Sequence, residues 1–320
     1  MARPAACFSE TRGLRPLEHP WVAAANGSVA SCRPVPMGCI ALLMGATVRR
    51  AAFAGSWYPR TANAIADEVD RYLEAAGTPA VTGRLVALVS PHAGLHYSGP
   101  VAAYAYALLR RREPASVVLV GPAHRASFEG VALQAHGGWD FPLGCAAIDE
   151  DLAAALLASE PALFDDPEPH ASEHSLEMQM PFLLRVLPGL RIVPLLMGTQ
   201  SREEVDALAG ALSRTAAGRS VLMVASSDLS HYRPAAVASR LDAEVVDDVE
   251  RLDPEALMRR LETRENVACG GGPIVAVLRA ARALGADHAA VLRYADSGDV
   301  GEHDKSHVVG YLSAALLAPE

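Results

Sequence analysis

Aromatic residues make up only 5% of the 320-residue chain, so its core has to be built from aliphatic side chains. Cysteine is also sparse. Cys7, Cys32, Cys39, Cys145 and Cys269 form an odd set with no regular spacing, which argues against a disulfide framework and for a reducing, cytoplasmic setting. The chain lacks a lysine-arginine stripe with interleaved aromatics, and its formal net charge is −9; both weigh against nucleic acid as a partner. It also lacks an apolar run that could cross a bilayer. The nearest candidate, "MGCIALLMGA" at residues 37–46, is about ten residues long where a span needs about twenty. That run lies too far into the chain for an ordinary signal peptide and is followed by Arg49 and Arg50. No G-x-S-x-G elbow is present, which disfavours a simple serine or cysteine hydrolase.

What the chain has is a hydrophobic fraction of 51%, ample for a sizeable core. Residues 1–47 are rich in Pro, Gly, Ser and Cys without periodicity. They read as a poorly ordered tail, with Met37 or Met44 as an alternative natural start. Residues 48–320 read as a single domain in which strand-like runs alternate with helical patterns. Helices are predicted over 61–76 (closed by Gly77), from Ser98 or Pro100 to about Arg112, and over 172–187, 202–215, 235–250, 254–261 and 273–284. Strands are predicted at 85–89, 116–120, 191–196, 220–225, 289–295 and 307–313. This alternation predicts an α/β fold: a mixed, largely parallel central sheet covered by helices on both faces.

Three apolar runs end in the same way. "LVALVSPHAGLHYSG" (85–99) breaks at Ser90-Pro91 and delivers His92; "VVLVGPAHR" (117–125) breaks at Gly-Pro and delivers His124; "SVLMVASSDLSHY" (220–232) ends in a polar turn with Asp228 and His231. The loops after parallel strands gather along one rim, where ligands bind. Any one of these histidines is equally readable as a surface-turn residue, but three strand-end histidines should converge. Two imidazoles there can bind a divalent transition metal, and a third protein ligand would complete the set. Cys269 in "NVACGGGPI" is the candidate, since the positive end of the following helix would favour a thiolate; its alternative reading is a small buried hydrophobe. Asp228, three residues before His231, is placed to hydrogen-bond one nitrogen of that ring.

Other features carry two readings each. In "SEHSLEMQMPFLL" (172–184), Ser172 reads as an N-cap, Glu173 and Glu177 as complements to the helix dipole, and His174 as either a cap or a member of the site. Leu176, Met180, Leu183 and Leu187 share one helical face, and the methionines read as core. "GSWYP" (55–59) reads as an aromatic pocket wall or as a buried anchor for the start of the domain.

Taken in order, "GSWYP", "PHAGLHYSG", "GPAH", "SEHSLEMQMPFL", "SSDLSHY", "CGGGPI" and "HVVGY" resemble the Memo family, known in microbes as AmmeMemoRadiSam system protein B. The resemblance covers about residues 50–316. It implies a fold similar to the LigB-type class III extradiol dioxygenases, non-haem iron enzymes that open catechol rings. It implies that His92, His124 and Cys269 form the metal site and that His231 resembles the acid/base histidine; Asp228 and His174 join His231 as catalytic candidates on their own positions in the chain. The ring-opening enzymes use a carboxylate where this chain has Cys269, and a thiolate shifts preference towards softer metals. The cofactor is therefore expected to be Fe(II) or copper, with zinc also in range. Two functions follow: a metal-dependent, dioxygenase-like oxidoreductase, or a binding module for a partner protein or peptide. The microbial family name adds a modification system with radical-SAM and Ammecr-type proteins as partners. No membrane partner is expected.

Overall fold

The computed structural model describes residues 47–300 and 304–320; the expected tail, apart from Thr47, lies outside the described residues. The strands are β1 (Val48–Arg50), β2 (Arg84–Ser90), β3 (Ser116–Pro122), β4 (Val131–Leu133), β5 (Gly138–Phe141), β6 (Gly144–Ile148), β7 (Leu163–Asp165), β8 (Arg191–Met197), β9 (Val221–Ser226), β10 (His231–Arg233), β11 (His288–Asp296) and β12 (Val308–Ala318). The helices are α1 (Ala62–Ala76), α2 (Leu95–Ala107), α3 (Glu150–Ser159), α4 (Met180–Val186), α5 (Arg202–Ala216), α6 (Ala235–Glu250), α7 (Pro254–Thr263), α8 (Gly271–Ala283) and α9 (Ser297–Val300).

The strands join in one mixed sheet ordered β1-β5-β6-β8-β3-β9-β2-β12-β10, with β11 on β12 and β4 and β7 beside β8. Its centre, β8-β3-β9-β2, is wholly parallel, while β12 closes it antiparallel against β2 and β11. The reason is legible in composition. All seven residues of β3 are buried, as a parallel strand covered on both faces requires. Helices α1, α2 and α4 pack together, as do α3, α5, α7 and α8. Both groups pack on β2 and β12, so helices flank the sheet. One apolar cluster runs from Phe53 through the central strands to Ala318.

Helix α1 matches its expectation at both ends: the Thr61 side chain accepts from Ala64 N–H, and Gly77 closes it at φ 65°. Helix α2 begins earlier than Pro100 suggests. Leu95 N–H donates to Trp57 O at 2.8 Å and Gly94 O accepts from Tyr97 and Ser98, so the first turn is held by the "GSWYP" segment and Pro100 falls inside the helix. The largest departure is at 172–187, where only Glu177–Gln179 (a 3-10 turn) and α4 are helical. Leu176, Met180, Leu183 and Leu187 are buried as their spacing demands, but Glu173 is drawn out of any helix by its bonds to the rim described below. Strands β4 to β7 and helix α3 were not expected.

Candidate metal centre

The rim at the carboxyl ends of the central strands holds the site. His92 lies two residues beyond β2, His124 two beyond β3 and Asp228 two beyond β9, the strand between them. Cys269 arrives from the loop that opens α8, and that approach depends on glycine: a Cβ on Gly270 would lie 2.3 Å from Ser226 O. The approach is then locked, since Cys269 N–H donates to Asp228 O at 3.2 Å and Gly270 N–H to Ser227 Oγ at 2.9 Å. The ligand atoms of His92, His124 and Cys269 all lie within 4.8 Å of one another, with His92 Nε2 3.1 Å from Cys269 Sγ. Two imidazoles and a thiol in that geometry suit a soft or borderline divalent metal.

The histidines are held from behind. Glu173 Oε1 lies 2.9 Å from His124 Nδ1 and its Oε2 accepts from His124 N–H at 2.6 Å; Oε1 also accepts from the backbone of His174 and Ser175. Burial raises the Glu173 pKa, but the hydrogen bonds from His124 and Ser175 outweigh it and hold the carboxyl down at about 2. An ionised carboxylate accepts only, so His124 donates through Nδ1 and Nε2 is the ring atom left for a metal. This contact also depends on a glycine, because a Cβ on Gly121 would lie 2.7 Å from Leu176 and 2.9 Å from Ser175 Oγ. His174 stacks on His124 at 4.4 Å and lies 4.4 Å from Trp57. Burial, opposed by Glu173 and reinforced by His124, pushes the His174 imidazole down to about 4. Burial likewise drives His92 well below its usual range, with His174, His124 and His231 adding to the effect.

Two expectations need correction. Asp228 does not orient His231. Its Oδ1 accepts from His92 N–H at 2.7 Å and Ala93 N–H at 3.3 Å, fixing the loop that carries the first ligand, and burial pushes its pKa up to about 7. Cys269 is not a preformed thiolate: burial first, then the nearby Asp228, raises its pKa, and these outweigh any help from the helix end.

His231 opens β10 rather than sitting in a free turn, opposite Val309 of β12. The Asn266 side chain clasps its backbone, accepting from His231 N–H at 3.2 Å and donating to His231 O at 2.9 Å. Burial lowers the His231 pKa, and the nearby His124 lowers it further. "GSWYP" serves both of its readings: Trp57 walls the site against His174, while the buried Tyr58 donates to Glu177 Oε1 at 2.6 Å. Sequence reasoning missed Ser226, Gln179, Asn266 and the role of Glu173. Of these only Glu173 carried a signal, its place beside His174.

A sequence model of Memo-like proteins matches residues 49–315. A MEMO1 family protein of Methanothermobacter thermautotrophicus is 37% identical over 275 residues, covering 82% of this chain and 98% of its own. Another, of Methanocaldococcus jannaschii, is 34% identical over 285 residues, covering 84% and 99%. A third, of Caldivirga maquilingensis, is 32% identical over 278 residues, covering 84% and 98%. With the paired strand-end histidines and Cys269 assembled on one rim, the chain belongs to the Memo family.

Proposed function

We propose that the protein is a metal-dependent oxidoreductase of the extradiol dioxygenase-like type, with His92, His124 and Cys269 holding Fe(II) or copper. The observation that carries this reading is the donor set itself: two imidazoles and a thiol within mutual ligand distance, the one on His124 braced by a carboxylate. The bound metal would supply Lewis-acid and redox chemistry at the rim. The chain's own residues do the rest. His231, its pKa lowered by burial, serves as the proton acceptor near neutrality; Trp57 and His174 offer a flat wall for an aromatic ligand; Asp228 holds the His92 loop in place.

The test begins with metal analysis of protein purified without oxygen, followed by oxygen uptake with a panel of catechols. A stoichiometric transition metal and catechol-dependent uptake are expected. The double variant His92→Ala/His124→Ala should lose the metal by calorimetry while keeping its circular dichroism spectrum. Unchanged metal binding in that variant would sink the site.

A second reading has one observation in its favour. Tyr232, beside His231, is 73% exposed, the single large hydrophobic side chain so exposed among the described residues. An aromatic side chain standing clear of the surface suits recognition of a peptide or partner protein. Metal-loaded protein that consumes no oxygen with any catechol would favour this reading. Partnership with radical-SAM and Ammecr-type proteins fits either.

A further inference from the structure

Ser226, the last residue of β9, stands between three polar groups, and its one proton decides the state of His92. Its Oγ lies 2.6 Å from Ser175 O, 2.7 Å from Gln179 Nε2 and 2.9 Å from His92 Nδ1. A carbonyl only accepts, so the hydroxyl proton goes to Ser175 O. Gln179 is fixed in turn: Nε2 faces Pro91 O at 3.0 Å and Ser175 O at 3.4 Å, while Oε1 accepts the Tyr106 hydroxyl proton at 2.6 Å. Turned over, that amide would set oxygen against two oxygens, so Nε2 donates to Ser226. The hydroxyl has then spent its proton and one lone pair, and only its second lone pair is left for His92. A bare Nδ1 there would oppose lone pair to lone pair. His92, Ser226, Gln179 and Tyr106 are each at most 1% exposed, so no solvent relieves the conflict.

We propose that Ser226, oriented by Gln179 and Tyr106, is a positioning residue that locks His92 with its proton on Nδ1 and leaves Nε2 bare towards Cys269. Free imidazole exchanges its proton between the two nitrogens. Here the polarity of a buried hydrogen-bond chain makes the choice before any metal arrives, and the ring needs no rearrangement to become a ligand. Glu173 makes the same choice for His124 by charge, whereas Ser226 makes it with neutral groups alone. Only the step from tautomer to metal affinity rests on the reading of His92 as a ligand.

Long-range proton–nitrogen correlation spectra of the metal-free protein, with His92 assigned by its loss in His92→Asn, test the lock directly. The wild type should show a proton-bearing Nδ1 and a bare Nε2. Ser226→Ala should mix or reverse the two, and Ser226→Thr, which keeps the hydroxyl, should restore them. Calorimetric titration with zinc, which is redox-silent, should show affinity falling about 10- to 100-fold in Ser226→Ala and returning in Ser226→Thr. A proton on Nε2 in the wild type overturns the proposal even if no variant folds. A Ser226→Ala variant that melts lower but keeps the wild-type nitrogen shifts also overturns it, because Ser226 would then be merely structural. Wild-type protein with a bare Nε2 that binds no zinc, iron or copper leaves the lock standing and removes the metal reading instead.

Discussion

Glu173 accepts four hydrogen bonds with two oxygens, from the ring and backbone of His124 and the backbones of His174 and Ser175. Glu173→Gln would turn an amide N–H against one of those donors. We expect it to lower zinc affinity about 10- to 100-fold and stability by about 1–3 kcal/mol, measured by calorimetry and urea melts. A variant with unchanged affinity would mean that His124 needs no brace. His231 provides the contrast, since it sits near the cluster without being tied into it. His231→Gln should keep metal affinity within a few-fold while reducing turnover of the true substrate by about a hundredfold. Collapse of affinity would make it a ligand; loss of partner binding alone would favour the recognition role. His92, His124 and Cys269 could be picked out from sequence because strand ends and a glycine turn announce them. Ser226 and Gln179 could not, because a buried serine or glutamine looks like any other until its partners, up to 134 positions away, are known.

The same contrast holds for whole elements. Strands β2, β3, β8 and β9 were readable because a parallel strand buried on both faces must be a continuous apolar run. Strands β4 to β7 are three to five residues long and are set by their neighbours, so periodicity had nothing to register. The short β1 owes its place to one buried ion pair. Arg49 Nη2 lies 2.6 Å from Glu177 Oε2, and the same guanidinium donates to His170 O and Glu173 O and stacks over Trp139. Glu177, buried completely, also accepts from Ala52 and Phe53 N–H. Arg49 thus fastens the segment that carries Glu173. Arg49→Met would leave a buried, unpaired carboxylate, and we expect a loss of about 3–5 kcal/mol in urea unfolding. A loss below 1 kcal/mol would show that Glu177 is satisfied by its remaining donors, Ala52 N–H, Phe53 N–H and the Tyr58 hydroxyl.

At the scale of the molecule, buried histidine sets the response to acid. His170 is 1% exposed, and burial with help from Arg49, opposed by Ala132 and Glu173, pushes its pKa down to about 3. The folded state therefore takes up this proton later than the unfolded state, whose imidazole titrates near 6.5. Stability is intact above pH 6.5 and is lost as pH falls from there towards 3, at about 1.4 kcal/mol per pH unit from this residue. In His170→Gln, urea unfolding between pH 6 and 4 should show a pH slope smaller by one proton. An unchanged slope would mean that His170 is protonated in the fold.

The donor set draws on residues 92, 124 and 269, and β12, which seals β2, comes last among the described strands. On a ribosome, both histidines emerge on the order of ten seconds before Cys269 at ordinary synthesis rates. A metal ion met during that interval finds two ligands and a sheet still missing its closing strand. The site therefore forms only once Cys269 has been made, and a bound metal would mark a chain whose synthesis has passed that point.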